Sequence, residues 1–215
     1  MSVEAVGALR EPVRRAVYEY AVSRTEPVGR DEVAEAVGIG RTLAAFHLDR
    51  LAEAGLLEVS YARRSGRTGP GAGRPAKLYR RSVLEVEVSL PPRRYRSAAG
   101  LLAEAVDRSG ADELLFAAAR RHGRSAGDAA REAGLIDVLT QQGYEPESRE
   151  GRIVLRNCPF HGLARDHPPL VCGMNLALLQ GLLEGLGQEG DKARMAPSAD
   201  GCCVVIDPDS KTNAG

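Results

Sequence analysis

The sequence predicts an α+β protein in two parts: a small basic unit of helices and a β-hairpin, then a helical segment leading into a small α+β domain. Three observations predict it. Within the first eighty or so residues, three short stretches with helical spacing precede two strand-like runs that flank a glycine-rich basic loop. The middle of the chain is rich in Ala and Leu. All four cysteines fall in the last quarter, among short runs that read as alternating strands and helices. With 215 residues, 43% of them hydrophobic and 27% charged, the chain suffices for one large domain or two small ones around a buried core.

The first helix spans Glu11 to Ser23, where Val13, Ala16, Val17, Tyr20 and Ala21 recur at helical spacing and Pro12 is tolerated in the first turn. Thr25 to Gly29 reads as a turn. Asp31 to Val37 forms a second short helix, marked by its acidic start and by Gly38 after it. Past the Gly38-Ile39-Gly40 turn, a third helix over about Arg41 to Ala54 puts Ala44, Leu48 and Leu51 on one face and leaves Arg41, Thr42, Ala45 and Arg50 to face elsewhere. Gly40 supplies no side chain to cap it, and Gly55 ends it. Leu56 to Ala62 and Ala76 to Arg80 read as strands around the basic loop Arg63 to Pro75. Two short helices joined by a Gly-containing turn, followed by a basic hairpin, make a winged helix-turn-helix over residues 1 to 82.

Val83 to Ser89 alternates apolar and charged residues and is ended by Pro91-Pro92, so 83 to 94 is expected as a linker strand. Tyr95 to Arg108, Ala111 to Arg121 and Ala126 to Glu132 read as Ala/Leu-rich helices whose apolar surface suits a homodimer. A helix over Leu135 to Gln142, a strand over Glu150 to Arg156, a helix over Leu176 to Leu186 and a strand over Cys202 to Ile206 give a βαβ-like end. Residues 95 to 215 are thus expected to form a dimerisation and sensor domain.

A formal net charge of zero hides an asymmetry. Residues 1 to 98 carry 17 Lys/Arg against 12 Asp/Glu, about +5, and the remainder the reverse. Tyr61 to Arg81 holds Arg63, Arg64, Arg67, Arg74, Lys77, Arg80 and Arg81 without one acidic residue, which points to a polyanion. Double-stranded DNA fits: the third helix can enter a major groove through Arg41, Thr42, Ala45 and Arg50, and the wing can lay Arg64, Arg67, Arg74 and Lys77 along phosphates or into a minor groove. Arg74, between Gly73 and Pro75, is the expected wing tip. A protein-interaction module of the same fold is the alternative.

No apolar run approaches the roughly 18 residues of a membrane span, and the start Met-Ser-Val-Glu-Ala-Val-Gly lacks the basic and apolar regions of a signal peptide. A cytoplasmic protein is expected, with no membrane partner. No catalytic triad, phosphate-binding loop or dinucleotide fingerprint is present, so neither an enzyme nor a small-molecule substrate is expected. A zinc or thiol enzyme fused to a DNA-binding domain ranks last.

In a reducing compartment four cysteines suggest metal or redox chemistry rather than disulfides. Cys158 lies in Asn157-Cys158-Pro159-Phe160-His161, Cys172 in Val171-Cys172-Gly173-Met174-Asn175, and Cys202-Cys203 near the end. Cys158 is expected at the end of a strand and Cys172 just before a helix whose dipole favours its thiolate. Three thiolates could hold zinc with His161 as fourth ligand, or an iron–sulfur cluster with one ligand that is not cysteine; a metal-free thiol redox switch is the further alternative. Thirteen residues separate Cys158 from Cys172 and twenty-nine separate Cys172 from Cys202, with no tight Cys-x-x-Cys pair. Successive strand side chains face opposite ways, so only one of Cys202 and Cys203 is expected to reach the metal. Gly201 favours Cys202, with Cys203 turned into the core and kept as the alternative third ligand.

The run from Val37 to Leu57, with its His47-Leu48-Asp49-Arg50-Leu51-Ala52-Glu53-Ala54-Gly55-Leu56 motif, and the wing Gly71-Ala72-Gly73-Arg74-Pro75-Ala76-Lys77-Leu78-Tyr79 resemble the ArsR-type winged-helix regulators of bacteria over roughly residues 9 to 82. The resemblance implies that Arg41 and His47 lie at the DNA surface. Together with Asn157 to Leu183 and a cysteine near the C-terminus, the chain resembles the SufR-like repressors, iron–sulfur cluster-binding members of that group that control cluster-assembly genes. That resemblance implies a homodimeric repressor with a 4Fe–4S cluster held by Cys158, Cys172 and one of Cys202 or Cys203. Cluster occupancy would bias the placement of the two winged helices and so set operator affinity.

Overall fold

The computed structural model describes residues 2–62, 75–83, 85–196 and 201–207. The chain is a mixed α+β protein, with two small antiparallel sheets among the described residues, and divides into two units, 1–93 and 94–215. Residues 63–74, and with them Arg64, Arg67 and Arg74, lie outside the described residues.

The first unit contains α1 (Ser2–Ala8), α2 (Pro12–Ser23), β1 (Val28–Gly29), α3 (Arg30–Val37), α4 (Arg41–Glu53), β2 (Leu57–Ala62) and β3 (Ala76–Arg81). Glu11 stands outside α2 as its cap: its carboxylate accepts from the amides of Val13 and Arg14 at 3.0 and 2.6 Å, groups a helix start otherwise leaves without partners. Gly38 closes α3 in the left-handed region at φ 72°, and its amide donates to the Ala34 carbonyl. α4 starts at Gly40 with no side-chain cap.

The three strands run in the order β1-β3-β2, with Val28 opposite Tyr79 and Leu57 opposite Arg81. Where a turn alone was expected over Thr25 to Gly29, Val28 and Gly29 add a short strand to the hairpin, because Val28 is buried in the core and its backbone pairs with β3. Val17, Ala21, Val33, Ala44, Leu48, Leu51, Leu57 and Tyr79 complete that core. The face of α4 that the spacing assigned to the interior is fully buried.

The expected linker strand over 83 to 94 is not formed among the described residues. After the Ser82 amide meets the Leu56 carbonyl and the Val83 amide meets the Glu58 carboxylate, no strand among the described residues runs alongside to supply a ladder. Val86 instead packs singly on the core.

The second unit contains α5 (Tyr95–Ser109), α6 (Asp112–Ala129), α7 (Leu135–Gln141), β4 (Pro146–Arg149), β5 (Arg152–Leu155), α8 (His161–Ala164), α9 (Pro168–Gly185), a 3₁₀ turn (Gly190–Lys192), β6 (Ala193–Met195) and β7 (Val204–Ile206). α6 replaces the two separate helices expected over Ala111 to Arg121 and Ala126 to Glu132. Its glycines are contact points rather than breaks. A Cβ on Gly123 would stand 2.0 Å from the Leu178 carbonyl oxygen of α9, and one on Gly181 of α9 would stand 2.0 Å from that of Arg120. Gly127 and Gly185 are similarly confined, so α6 and α9 touch backbone to backbone along two turns. Across this crossing Glu184 receives Arg120 and Arg124 together.

The second sheet has the order β4-β5-β7-β6, antiparallel throughout. This corrects the βαβ-like expectation: although α9 separates β5 from β7 in sequence, β6 intervenes and turns the chain back, so β7 enters antiparallel to both neighbours. β4 was not expected. It exists because Glu150 and Gly151, at φ 50° and 77°, make a tight reversal into β5. Leu139, Leu155, Leu179, Leu182, Leu183, Val204 and Ile206 fill the core between the sheet and α9.

Candidate functional site

Cys158 lies three residues beyond the end of β5, not at its last position, and its carbonyl accepts from the His161 amide as the chain turns into α8. Cys172 lies inside α9, its fifth residue, because α9 begins at Pro168 rather than at Leu176. Cys202 and Cys203 precede β7 and belong to no strand. The argument that strand alternation parts them therefore does not apply; Gly201 at φ 144° sets their course instead. The Cys202 amide donates to the Leu155 carbonyl and the Cys203 carbonyl accepts from the Ala196 amide, both at 2.8 Å. Cys202 is the one that enters the core, at 4% exposure, whereas Cys203, Cys158 and Cys172 are half-buried. The expected orientation of the doubled cysteine is thus reversed.

The thiols act on one another. Cys158 interacts with Cys202, Cys172 with Cys203, and Cys203 with Cys202. The Cys202 thiol, turned toward Cys158, holds the Cys158 pKa below its usual value against the opposing effect of burial, and the Phe160 amide assists. The same interaction, followed by burial, pushes Cys202 up. Burial pushes Cys172 up to about 12, with Cys203 adding to it. The helix-dipole expectation for Cys172 is therefore corrected: one turn into the helix, desolvation outweighs the terminal charge. Burial likewise raises Cys203. The paired thiols Cys158 and Cys202 are thus moved in opposite directions, as close packing of groups that would carry like charge requires.

Among the described residues no three His, Cys, Asp or Glu side chains are gathered as a metal-binding group. The chemistry of the donors nevertheless suits a soft metal. All are sulfur, and N–H groups are aimed at them: the Phe160 amide at Cys158, and the Val204 amide and the Asn175 side chain at Cys202. Sequence reasoning missed Tyr144 and Asn175, which adjoin this cluster. The signal was there for Asn175, a polar residue that with Gln180 interrupts the mostly apolar run from Leu170 to Leu183.

On the first unit, α4 exposes Arg41, Thr42, Leu43, Phe46 and Arg50, with Ala45 half-buried. Leu43 and Phe46 were not among the expected contacts. Arg41 reaches Asp31 at 3.3 Å, and Arg50 pairs with Glu53 at 3.1 Å while lying over the Phe46 ring. Asp49 ties the hairpin to α4 by accepting from Lys77 and from the Tyr79 hydroxyl at 2.5 and 2.6 Å.

His47 is a correction. The resemblance implied a surface residue, but its position three after Ala44 and four before Leu51 turns it into the core, where it is 5% exposed. Its Nδ1 faces Arg14 at 3.4 Å and Glu11 at 3.7 Å, and burial holds its pKa below the usual imidazole value.

No protein-family model matches the chain, and no characterised protein matches it significantly. Among the described residues no helix is long and apolar enough to cross a membrane.

Proposed function

We propose that this protein is a homodimeric, DNA-binding transcriptional repressor whose second unit senses an iron–sulfur cluster. One observation carries the DNA-binding half. The order α2-β1-α3-α4-β2-β3, with β1 added to the β2–β3 hairpin, supports the reading as a winged helix-turn-helix, in which α4 would be the second helix of the turn; Arg41, Thr42 and Arg50 are exposed on it and Ala45 is half-buried. The carboxylate partners of Arg41 and Arg50 do not oppose this. Exposed pairs of this kind contribute about 0–1 kcal/mol each, and a phosphate displaces them readily.

In the second unit, Cys158, Cys172 and Cys202 would hold the cluster, with Cys203 as the alternative third ligand. Bound there, the cluster supplies an oxidant- and iron-sensitive centre. The chain's own part is to aim N–H groups at the sulfurs and to limit solvent access by half-burying them. Ligation ties the segment after β5, α9 and the segment before β7 to one point, so occupancy changes the order of the second unit, and operator affinity responds to it. The resemblance to SufR-like repressors names cluster-assembly genes as the targets.

The test is anaerobic purification with iron, sulfide and zinc analysis, followed by DNA binding at graded salt. Matching iron and sulfide are expected, and a dimer touching about 6–10 phosphates loses affinity roughly a thousandfold or more between about 50 and 200 mM salt. Stoichiometric zinc without sulfide transfers the site to zinc. Binding that ignores salt, or none in either state, refutes the DNA reading.

A further inference from the structure

The core of the second unit contains one buried amide side chain among the described residues, Asn175, 1% exposed within α9. The other buried residues of α9 are Leu, Val, Ala and Gly, and an apolar residue at this position would remove the need to satisfy three polar groups. Both ends of the amide are occupied. Its Oδ1 accepts from the Tyr144 hydroxyl, and its Nδ2 donates to the Cys202 sulfur at 3.2 Å. Tyr144 is itself buried at 2% exposure, which fixes its hydroxyl on the Asn175 oxygen as donor. With the oxygen end taken by that hydroxyl, the amide must turn its N–H toward the sulfur.

We propose that Tyr144 and Asn175 are positioning residues for the metal centre: the pair presents a fixed N–H donor to Cys202, which selects Cys202 rather than Cys203 as the third sulfur ligand. This rests on the reading of the cysteines as a metal-binding set. An N–H directed at a coordinating sulfur withdraws charge from it, stabilises the thiolate and moves the reduction potential of an iron–sulfur centre upward. Tyr144 acts through Asn175 by preventing the amide from flipping.

The experiment compares full-length wild type with Tyr144→Phe, Asn175→Leu and Cys202→Ser, all purified anaerobically. Each is assayed for iron, sulfide and zinc, for midpoint potential, for the rate of metal loss to a chelator, and for folding by far-UV circular dichroism. Tyr144→Phe and Asn175→Leu are expected to fold, to lose metal about tenfold faster or more, and to shift the midpoint to more negative potential. Cys202→Ser is expected to lose the metal. Asn175→Gln, which keeps a donor, is expected to recover part of the retention. Should Asn175→Leu fail to fold, Tyr144→Phe, which keeps the ring, still decides. Variants that fold and match the wild type in both retention and potential overturn the positioning role, as does a Cys202→Ser protein with its full metal. A wild type holding neither iron nor zinc overturns the reading beneath it.

Discussion

Gly181 lies in the part of α9 that α6 crosses, and replacing it with alanine tests how that crossing is built. A Cβ there would stand 2.0 Å from the Arg120 carbonyl oxygen and 2.8 and 3.0 Å from the carbon atoms next to it. Ordinary contact begins near 3.4 Å, so Gly181→Ala must part the two helices by about 1.4 Å at that point. The obstacle is backbone, and no change of rotamer relieves it. Two effects compete. Alanine gains about 1 kcal/mol of helix propensity over glycine. Overpacking costs about 1–3 kcal/mol, and the upper end applies because the clash is with a main chain on both sides. Parting the helices also loosens Leu179, Leu182 and Leu183, all fully buried. If roughly a fifth of their burial is lost, at about 2 kcal/mol for each side chain, a further ~1 kcal/mol follows. Destabilisation by about 2–3 kcal/mol wins. With a urea dependence of about 2 kcal/mol per molar, the unfolding midpoint of the second unit falls by roughly 1 M or a little more. The control is Gly100→Ala in α5, where a Cβ meets nothing within 4 Å; it should stabilise by up to about 1 kcal/mol. Urea titration followed by circular dichroism gives both values. If Gly181→Ala unfolds at the wild-type midpoint or above it, the close crossing of α6 and α9 is wrong.

Three further outcomes are expected. The folded pKa of His47 lies below its ordinary 6.5, so as pH falls the unfolded chain takes up its proton first; stability of the first unit should fall through about pH 6.5 and level off below the folded pKa, and His47→Gln should flatten that loss in urea titrations at a series of pH values. Tyr79→Phe removes the hydroxyl that donates to Asp49 and should cost the first unit about 1–2 kcal/mol, read from the same titrations; no change would mean that Lys77 alone holds the clamp. Leu101 and Leu102 of α5 are 69% and 68% exposed; if the chain is the proposed homodimer, wild type should scatter as a dimer at micromolar concentration and Leu101→Glu with Leu102→Glu as a monomer, whereas a double variant that stays dimeric removes α5 from the interface and a monomeric wild type removes the dimer.

The first unit was legible because its elements are local. The spacing of Ala44, Leu48 and Leu51, and Gly38 and Gly40 at the ends of the turn, depend on residues within one helix or one turn of each other. What was missed there depends on partners far away in sequence. β1 is two residues long and exists only because β3 offers an edge to Val28. In the second unit the same distinction explains the helix that was split. Gly123 is a poor helix residue by propensity, and nothing near it in sequence shows that it must fit against Leu178, fifty-five residues later.

The cysteines were legible as a set but not as individuals. Residue type and crowding into the last quarter of the chain single them out together, and the thiols do act on one another. The charge state of each depended on where helices and strands begin. Moving the start of α9 from Leu176 to Pro168 takes Cys172 from a helix end, where a thiolate is favoured, to a partly desolvated place beside Cys203, where it is opposed. Starting β7 at Val204 rather than Cys202 removes the alternation that was to part the doubled cysteine. In its place stands the Asn175 amide, which reaches Cys202 from α9 twenty-seven residues earlier. An asparagine buried within α9 therefore separates the two adjacent thiols more directly than the backbone of the cysteines themselves, because its hydrogen bond reaches one sulfur of a pair that composition and spacing leave equivalent.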